Sequence, residues 1–392
     1  MNNYVHSTPE GISGAVNTIL LCKEDYMSIS RKMVFTAVVM LLAVVIAMPV
    51  FAAGAREDKP YIAVVSKGEQ HDFWQQVRLG ASAAADEYGV EITFEGPPSE
   101  SDVSIQVEML NSAIARGPVA VALAALDTNA VTDQLISLQA QNIPVVGFDS
   151  GVPDAPPGSI VANASTNNFA AAGLAAEHMF KALESDIRNA TAANPVRIVV
   201  FNQDARGESL LSRGRGFRDT MVDLIIDNTP HTAADLQVTG NPAFVASHNP
   251  TGGNKVIIEM AVPASADAQD TTAMAQSVLN RVQGDNIKGI FMSNEGTVVG
   301  LLAATDDGAA LPAEYPGLIA IGFDAGRAQK AAVRNQYFLG SITQDPFQIG
   351  FQAVRLANES RLGNPVEDVD TGARFYNYAN MDDPEIEGLI YD

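Results

Sequence analysis

From residue 61 onward the chain alternates short apolar runs with amphipathic stretches, a rhythm that few folds can accommodate. The run Tyr-Ile-Ala-Val-Val-Ser at 61–66, followed by runs at 91–94, 119–124 and 144–148, is apolar at successive positions, as parallel strands buried on both faces are. Between them, residues 73–88, 102–116 and 131–141 carry helical periodicity. A second series follows, with strands expected at 197–201, 256–261, 288–292, 318–322 and 339–343. Its helices are expected at 168–183, 208–226, 270–283, 296–304, 327–335 and 346–362. Strand-helix alternation of this kind implies an α/β protein with parallel sheets and right-handed crossovers, here in two similar lobes.

Upstream of this pattern, Arg31-Lys32 precedes an apolar run over 33–53 that is interrupted by Thr36 and broken near Pro49. About 20 apolar residues can span a bilayer. The short basic region, the proline and the small-residue triplets Val50-Phe51-Ala52 and Ala53-Gly54-Ala55 instead mark a cleaved export signal. The reading is a non-structural extension at 1–26, a signal peptide at 27–55 and a mature chain beginning near residues 53–56. Cys22 is the only cysteine, so the mature chain carries none, which suits an oxidising periplasm.

Composition removes whole classes of function. Lys+Arg 24 against Asp+Glu 46 gives a net charge of −22, and such a chain repels the phosphates of nucleic acid and anionic membrane surfaces. A lone cysteine and five scattered histidines leave no metal motif. There is no Gly-x-Ser-x-Gly elbow, no Walker loop and no Gly-x-Gly-x-x-Gly after the first strand, so neither an enzyme nor a cofactor site is expected. Thr251-Gly252-Gly253-Asn254-Lys255 is glycine-rich but leads into a strand, which is wrong for a phosphate cradle. The insertion 237–254 reads as a surface loop.

What remains is a set of polar residues at strand ends. Val146-Gly147-Phe148-Asp149-Ser150-Gly151 is echoed by Ile321-Gly322-Phe323-Asp324-Ala325-Gly326, so each lobe offers one aspartate at a carboxyl strand edge, where open α/β sheets bind ligands. Either aspartate alone would serve equally well as a cap for the turn or helix that follows. The first-strand loop Ser66-Lys67-Gly68-Glu69-Gln70-His71-Asp72-Phe73-Trp74 ends in the only tryptophan. An aromatic face beside hydrogen-bonding groups suits a pyranose, although adjacent helical residues point about 100° apart, so one of Phe73 and Trp74 is expected to face the crevice. Asn294-Glu295 and Gln344-Asp345 end two strands of the second series and either bind hydroxyls or shape turns. Asp149 with Asp324 is also the pair that a glycosidase would use, a distant alternative.

From residue 61 to the C-terminus the sequence resembles the periplasmic sugar-binding proteins of the ribose-binding type, the solute receptors of ABC importers. The landmarks are Phe73-Trp74, Asp149, Ala164-Ser165-Thr166-Asn167, Arg213-Gly214-Arg215-Gly216-Phe217, Asn294-Glu295, Gly322-Phe323-Asp324 and Gln344-Asp345-Pro346-Phe347-Gln348-Ile349-Gly350. The resemblance implies a type I periplasmic binding protein, two Rossmann-like lobes joined by a three-strand hinge that close on a sugar. The lobes would comprise 60–165 with 345–370, and 166–344 with 371–392. It places ligand contacts at His71, Phe73, Trp74, Asp149, Asn294, Asp324 and Gln344. Ser150, Leu211 and Ala266 depart from the ribose pattern, which has two arginines and an aromatic there. Lys67, His71 and Ser150 are expected to replace the missing polar contacts, with Glu295, Glu208 and Arg206 as further candidates. Lys67 would also suit an acidic sugar. The partners implied are a sugar or polyol and an inner-membrane ABC permease, or alternatively a chemoreceptor, with the protein a monomer. Sugar-responsive repressors share this core, but they carry an N-terminal basic helix-turn-helix where this chain has its apolar segment.

Overall fold

The computed structural model describes residues 59–245 and 253–391; the expected extension and signal peptide, Cys22 and part of the 237–254 insertion lie outside them. The strands are β1 Tyr61–Val65, β2 Glu91–Glu95, β3 Ala120–Leu123, β4 Val145–Phe148, β5 Ala162–Ser165 and β6 Val196–Phe201. They continue as β7 Leu236–Gly240, β8 Val256–Ala261, β9 Ile287–Met292, β10 Ile319–Phe323, β11 Gly340–Gln344, β12 Val369–Asp370 and β13 Ala373–Tyr376. They form two sheets, ordered β12-β5-β4-β3-β1-β2 and β13-β11-β10-β9-β6-β8-β7. Every pair is parallel except β11 with β13. Strands such as Ala120–Leu123 and Val145–Phe148 are buried at every residue, which is why their sequences are apolar throughout.

The strand order turns back between β1 and β3 in the first sheet and between β6 and β9 in the second, where β8 and then β7 lie beyond β6. Loops leaving neighbouring strands on opposite faces part at such a point and leave a crevice at the carboxyl edge. The chain passes between the sheets three times: after β5, after β11 and from β12 to β13. Two of these passages are tied together, Thr371 N donating to Ser165 O at 3.0 Å and Asn167 N to Asp370 Oδ1 at 3.1 Å.

Helix pairs brace the two sheets in the same manner. Pro346–Arg361 packs on Asp72–Tyr88 at Gly350 and Gly80, where an added Cβ would overlap the backbone carbonyls of Val77 and Phe347. Glu208–Asn228 packs on Asn168–Arg188, with Gly216 against the Phe169 carbonyl. No side chain fits between such backbones. Gly350→Ala is therefore expected to destabilise the protein by roughly 1–3 kcal/mol, read as a lower thermal midpoint.

The 237–254 insertion is not a loop at its start. Leu236 and Val238 are buried and alternate with half-buried Gln237 and Thr239, and this period-two pattern makes β7 an edge strand on β8. The short helix Pro242–Val245 then buries Phe244 against Gly214. Gly240 and Pro242 made the segment read as turn, but Gly240 marks only its exit, at φ 100°. β5, β12 and β13 are too short and too polar to show an apolar run.

Candidate functional site

The two echoed aspartates share an unusual backbone. Asp149 follows β4 with φ 53° and Asp324 follows β10 with φ 75°, in the left-handed region that costs most residues energy and that Asp tolerates better than most. Residues held there cluster at functional sites. Neither caps the helix behind it. Asp324 accepts Glu295 N at 2.9 Å and Gln344 Nε2 at 2.6 Å, while Asp149 pairs with Lys67 Nζ at 3.2 Å. Both line one small cavity between the sheets' carboxyl edges.

On the first-sheet side that cavity is walled by Lys67, His71, Phe73, Trp74, Glu100 and Asp149. On the second-sheet side the wall is Arg213, Asn294, Glu295, Asp324 and Gln344. Both aromatics reach it, contrary to the expectation of one. Phe73 and Trp74 meet edge to face at 4.9 Å, and Trp74 also meets Phe148 edge to face at 6.4 Å. The enclosed space is about 20 Å3, room for about one water. A ligand therefore enters only when the two halves separate.

Hydrogen bonds cross the cleft directly. Glu100 accepts Trp74 Nε1 at 2.8 Å on its own side and Gln203 Nε2 at 2.6 Å from the other, and Asn294 Nδ2 donates to Gln203 Oε1 at 2.7 Å. Asn294 Oδ1 meanwhile caps the helix Glu295–Ala303 by accepting Thr297 N. Lys67 Nζ donates to Ser209 Oγ at 3.1 Å, and Ser150 Oγ accepts Ser209 N at 3.3 Å. Arg213 lies flat on Phe323 at 3.8 Å, donates to Asn168 Oδ1 and Ser293 O, and sits 3.9 Å from Asp324.

Burial and charge set the ionisation here. Burial alone would depress the Lys67 ammonium, but Asp149 and Glu100 outweigh it and raise the group above its usual value. Burial opposes ionisation of Glu100 too, yet Lys67, His71 and two hydrogen bonds hold it below the usual carboxylate range. Asp324 is pushed up by burial against the pull of Arg213. Glu295 is pushed up to about 7 by burial, His71 opposing and Asp324 adding to it.

Of the residues expected from sequence, Lys67, His71, Phe73, Trp74, Asp149, Asn294, Glu295, Asp324 and Gln344 all converge on this cavity. Ser150 lies behind it, holding the Ser209 amide. Arg206 is exposed, and Glu208 lines a separate groove beside the interlobe passages, so neither joins the cluster. Ala266 lines a third cavity, its N–H donated to Ser101 Oγ, and Leu211 packs against the second-sheet core. Sequence reasoning missed Glu100, Gln203, Ser209 and the siting of Arg213. Gln203 had a usable signal, two residues past β6 at the point where the strand order reverses.

Several buried polar atoms at the cavity have unused capacity. His71 Nε2 and Gln344 Oε1 have no hydrogen-bond partner among the described residues, and Asp149 Oδ2 has only its ion pair. Leaving such groups unpaired costs about 1–3 kcal/mol each. Donor-rich ligands such as polyols supply what they lack.

Two α/β halves joined by three passages, with matched acidic strand ends facing one enclosed cavity, define a hinged binding protein. The chain belongs to the periplasmic binding protein domain family, whose pattern it matches over residues 62–364. It is similar, at 37% identity and TM-score 0.69 over 85% of this chain and 99% of the other, to a protein from Brachyspira murdochii described as an ABC transporter, LacI family transcriptional regulator. It is also similar to an ABC transporter solute-binding protein from Agrobacterium vitis with bound D-fucose, at 26% identity and TM-score 0.68, covering 84% of this chain and 100% of that one. A carbohydrate transporter solute-binding protein from Agrobacterium radiobacter in complex with D-arabinose shares the fold at 24% identity and TM-score 0.66, over 86% of this chain and 100% of its own.

Proposed function

We propose that this chain is an extracytoplasmic solute-binding protein that captures an uncharged sugar or polyol between two closing lobes and delivers it to an ABC importer. The observation that carries this reading is the small cavity bounded by both Asp149 and Asp324, each at the end of a matched strand and each backed by a partner that fixes its carboxylate. Binding would draw the lobes together because a ligand touching both stabilises only the closed state. The lobes in this reading are 60–165 with 345–370 and 166–344 with 371–392, and export to the periplasm precedes binding. The Lys67 charge is already met by Asp149 and Glu100, so the acidic sugar that the sequence alone allowed is disfavoured. Catalysis plays no part in this reading.

A thermal-shift screen of the mature chain against neutral sugars, among them D-fucose, D-arabinose and tagatose, polyols and uronic acids tests it. A ligand that binds only the native state raises the melting point. At least one neutral compound is expected to do so, while uronic acids leave it unmoved. Trp74 is the only tryptophan, so the same compound should change the intrinsic fluorescence on titration. A flat response to every neutral sugar and polyol would defeat the proposal.

A further inference from the structure

Two helices that begin at the cleft lack caps of their own. Asp72–Tyr88 has His71 at its N-cap position and Arg327–Arg334 has Gly326, and neither residue makes a side-chain cap hydrogen bond. Helix starts leave four backbone N–H groups without intrahelical partners, which short polar side chains ordinarily satisfy. Here the acceptors come from across the cleft. Glu295, on the second-sheet side, accepts Asp72 N at 3.1 Å and Phe73 N at 3.2 Å. Asp72, on the first-sheet side, accepts Arg327 N at 3.3 Å. Ser99 Oγ adds a further bond to Asp267 Oδ1 at 2.6 Å, at the head of the helix Ala268–Leu279.

We propose that Glu295 and Asp72 are positioning residues, helix caps exchanged between the lobes, and that this exchange holds the cleft shut. It rests on the closing-lobe reading above but assigns Glu295 to closure rather than to ligand contact. Each carboxylate meets backbone donors beside a helix N-terminus, where negative charge is favoured. Opening the cleft breaks all three bonds together and returns the amides to water. Because no ligand takes part in them, they bias the open-closed balance of the empty protein, and affinity scales with the fraction that is closure-competent.

Protons couple to the same contact. The titratable groups facing Glu295 are His71 and Asp72 from the first-sheet side and Asp324, Tyr376 and Tyr391 from its own, with Lys67, Glu100 and Arg213 lining the same cavity. With the carboxyl at about 7 when closed against a usual 4.5, the closed form binds more protons, so closure is favoured as pH falls towards 4.5 and disfavoured as pH rises through 7.

The test uses the ligand-free mature protein, read by amide hydrogen exchange over residues 71–74 and 325–328 and by small-angle scattering. Glu295→Ala is expected to speed exchange in both segments by about tenfold or more and to enlarge the radius of gyration. Asp72→Ala is expected to do the same for residues 325–328, with a cooperative thermal melt confirming that each variant is folded. Glu295→Gln keeps one of the two acceptor oxygens, so it should recover part of the slow exchange while abolishing the pH dependence near 7. Exchange and dimensions identical to the parent in Glu295→Ala, or a pH dependence near 7 that persists in Glu295→Gln, would overturn the proposal. Neither hydrogen exchange nor scattering of the empty protein needs a sugar, so a failed ligand screen and a failed latch are distinguishable.

Discussion

Lys67→Ala is expected to open the cleft and to abolish tight sugar binding. The Lys67 side chain is 8% exposed, its ammonium lies 3.2 Å from Asp149, and it is the largest charge offsetting Glu100, ahead of His71. Removing one partner of a buried ion pair strands the other at a cost of about 3–5 kcal/mol. Separation of the lobes offers a cheaper release than unfolding, because it returns both carboxylates to water. The expected signature is therefore an enlarged ligand-free particle by scattering and an affinity loss of a hundredfold or so, about 3 kcal/mol, by calorimetry. The fall in melting temperature should be smaller than the full penalty. Replacing both carboxylates as well, in Lys67→Met with Asp149→Leu and Glu100→Gln, should recover closure without recovering affinity. A closed, fully binding Lys67→Ala variant would remove the pair from both roles.

Asp324→Ala is expected to weaken binding of the best neutral sugar from the thermal screen by tenfold or more, since it strands Gln344 Nε2 and the Glu295 amide and removes an acceptor from the cavity. Arg213 keeps its bonds to Asn168 and Ser293, which should let the second-sheet half stay folded. Asp324→Asn keeps one of the two acceptor oxygens and should fall between the parent and Asp324→Ala. Calorimetry on the three proteins decides the matter; equal affinities would place Asp324 outside the site.

The strands that were legible in the sequence are those apolar at nearly every position, such as 61–65 and 256–261, because burial on both faces leaves the same mark whatever the surroundings. β5, with the sequence Ala-Asn-Ala-Ser, and the two-residue β12 left none, because they are held by the passages between sheets rather than by apolar content. The twin Gly-Phe-Asp segments exposed the acidic rim because repetition at corresponding strand ends is visible in one dimension. Glu100 and Gln203 were not visible. Their importance comes from meeting each other over a gap of 103 positions, a pairing that only the closed arrangement creates. Glu295 was legible as a strand-end residue but not as a cap, since the helix it serves begins 223 positions away.

The interleaving of the two halves has a consequence for how the chain is made. The first sheet takes its edge strand β12 and the helix Pro346–Arg361, which packs on Asp72–Tyr88, from the last fifty residues. A nascent chain emerging N-terminus first thus holds an incomplete first half, its apolar helix face uncovered, until residues 346–370 have been made. Such long-range closure folds slowly. A polypeptide that cannot complete its first half until those residues appear remains threadable for as long as they are missing.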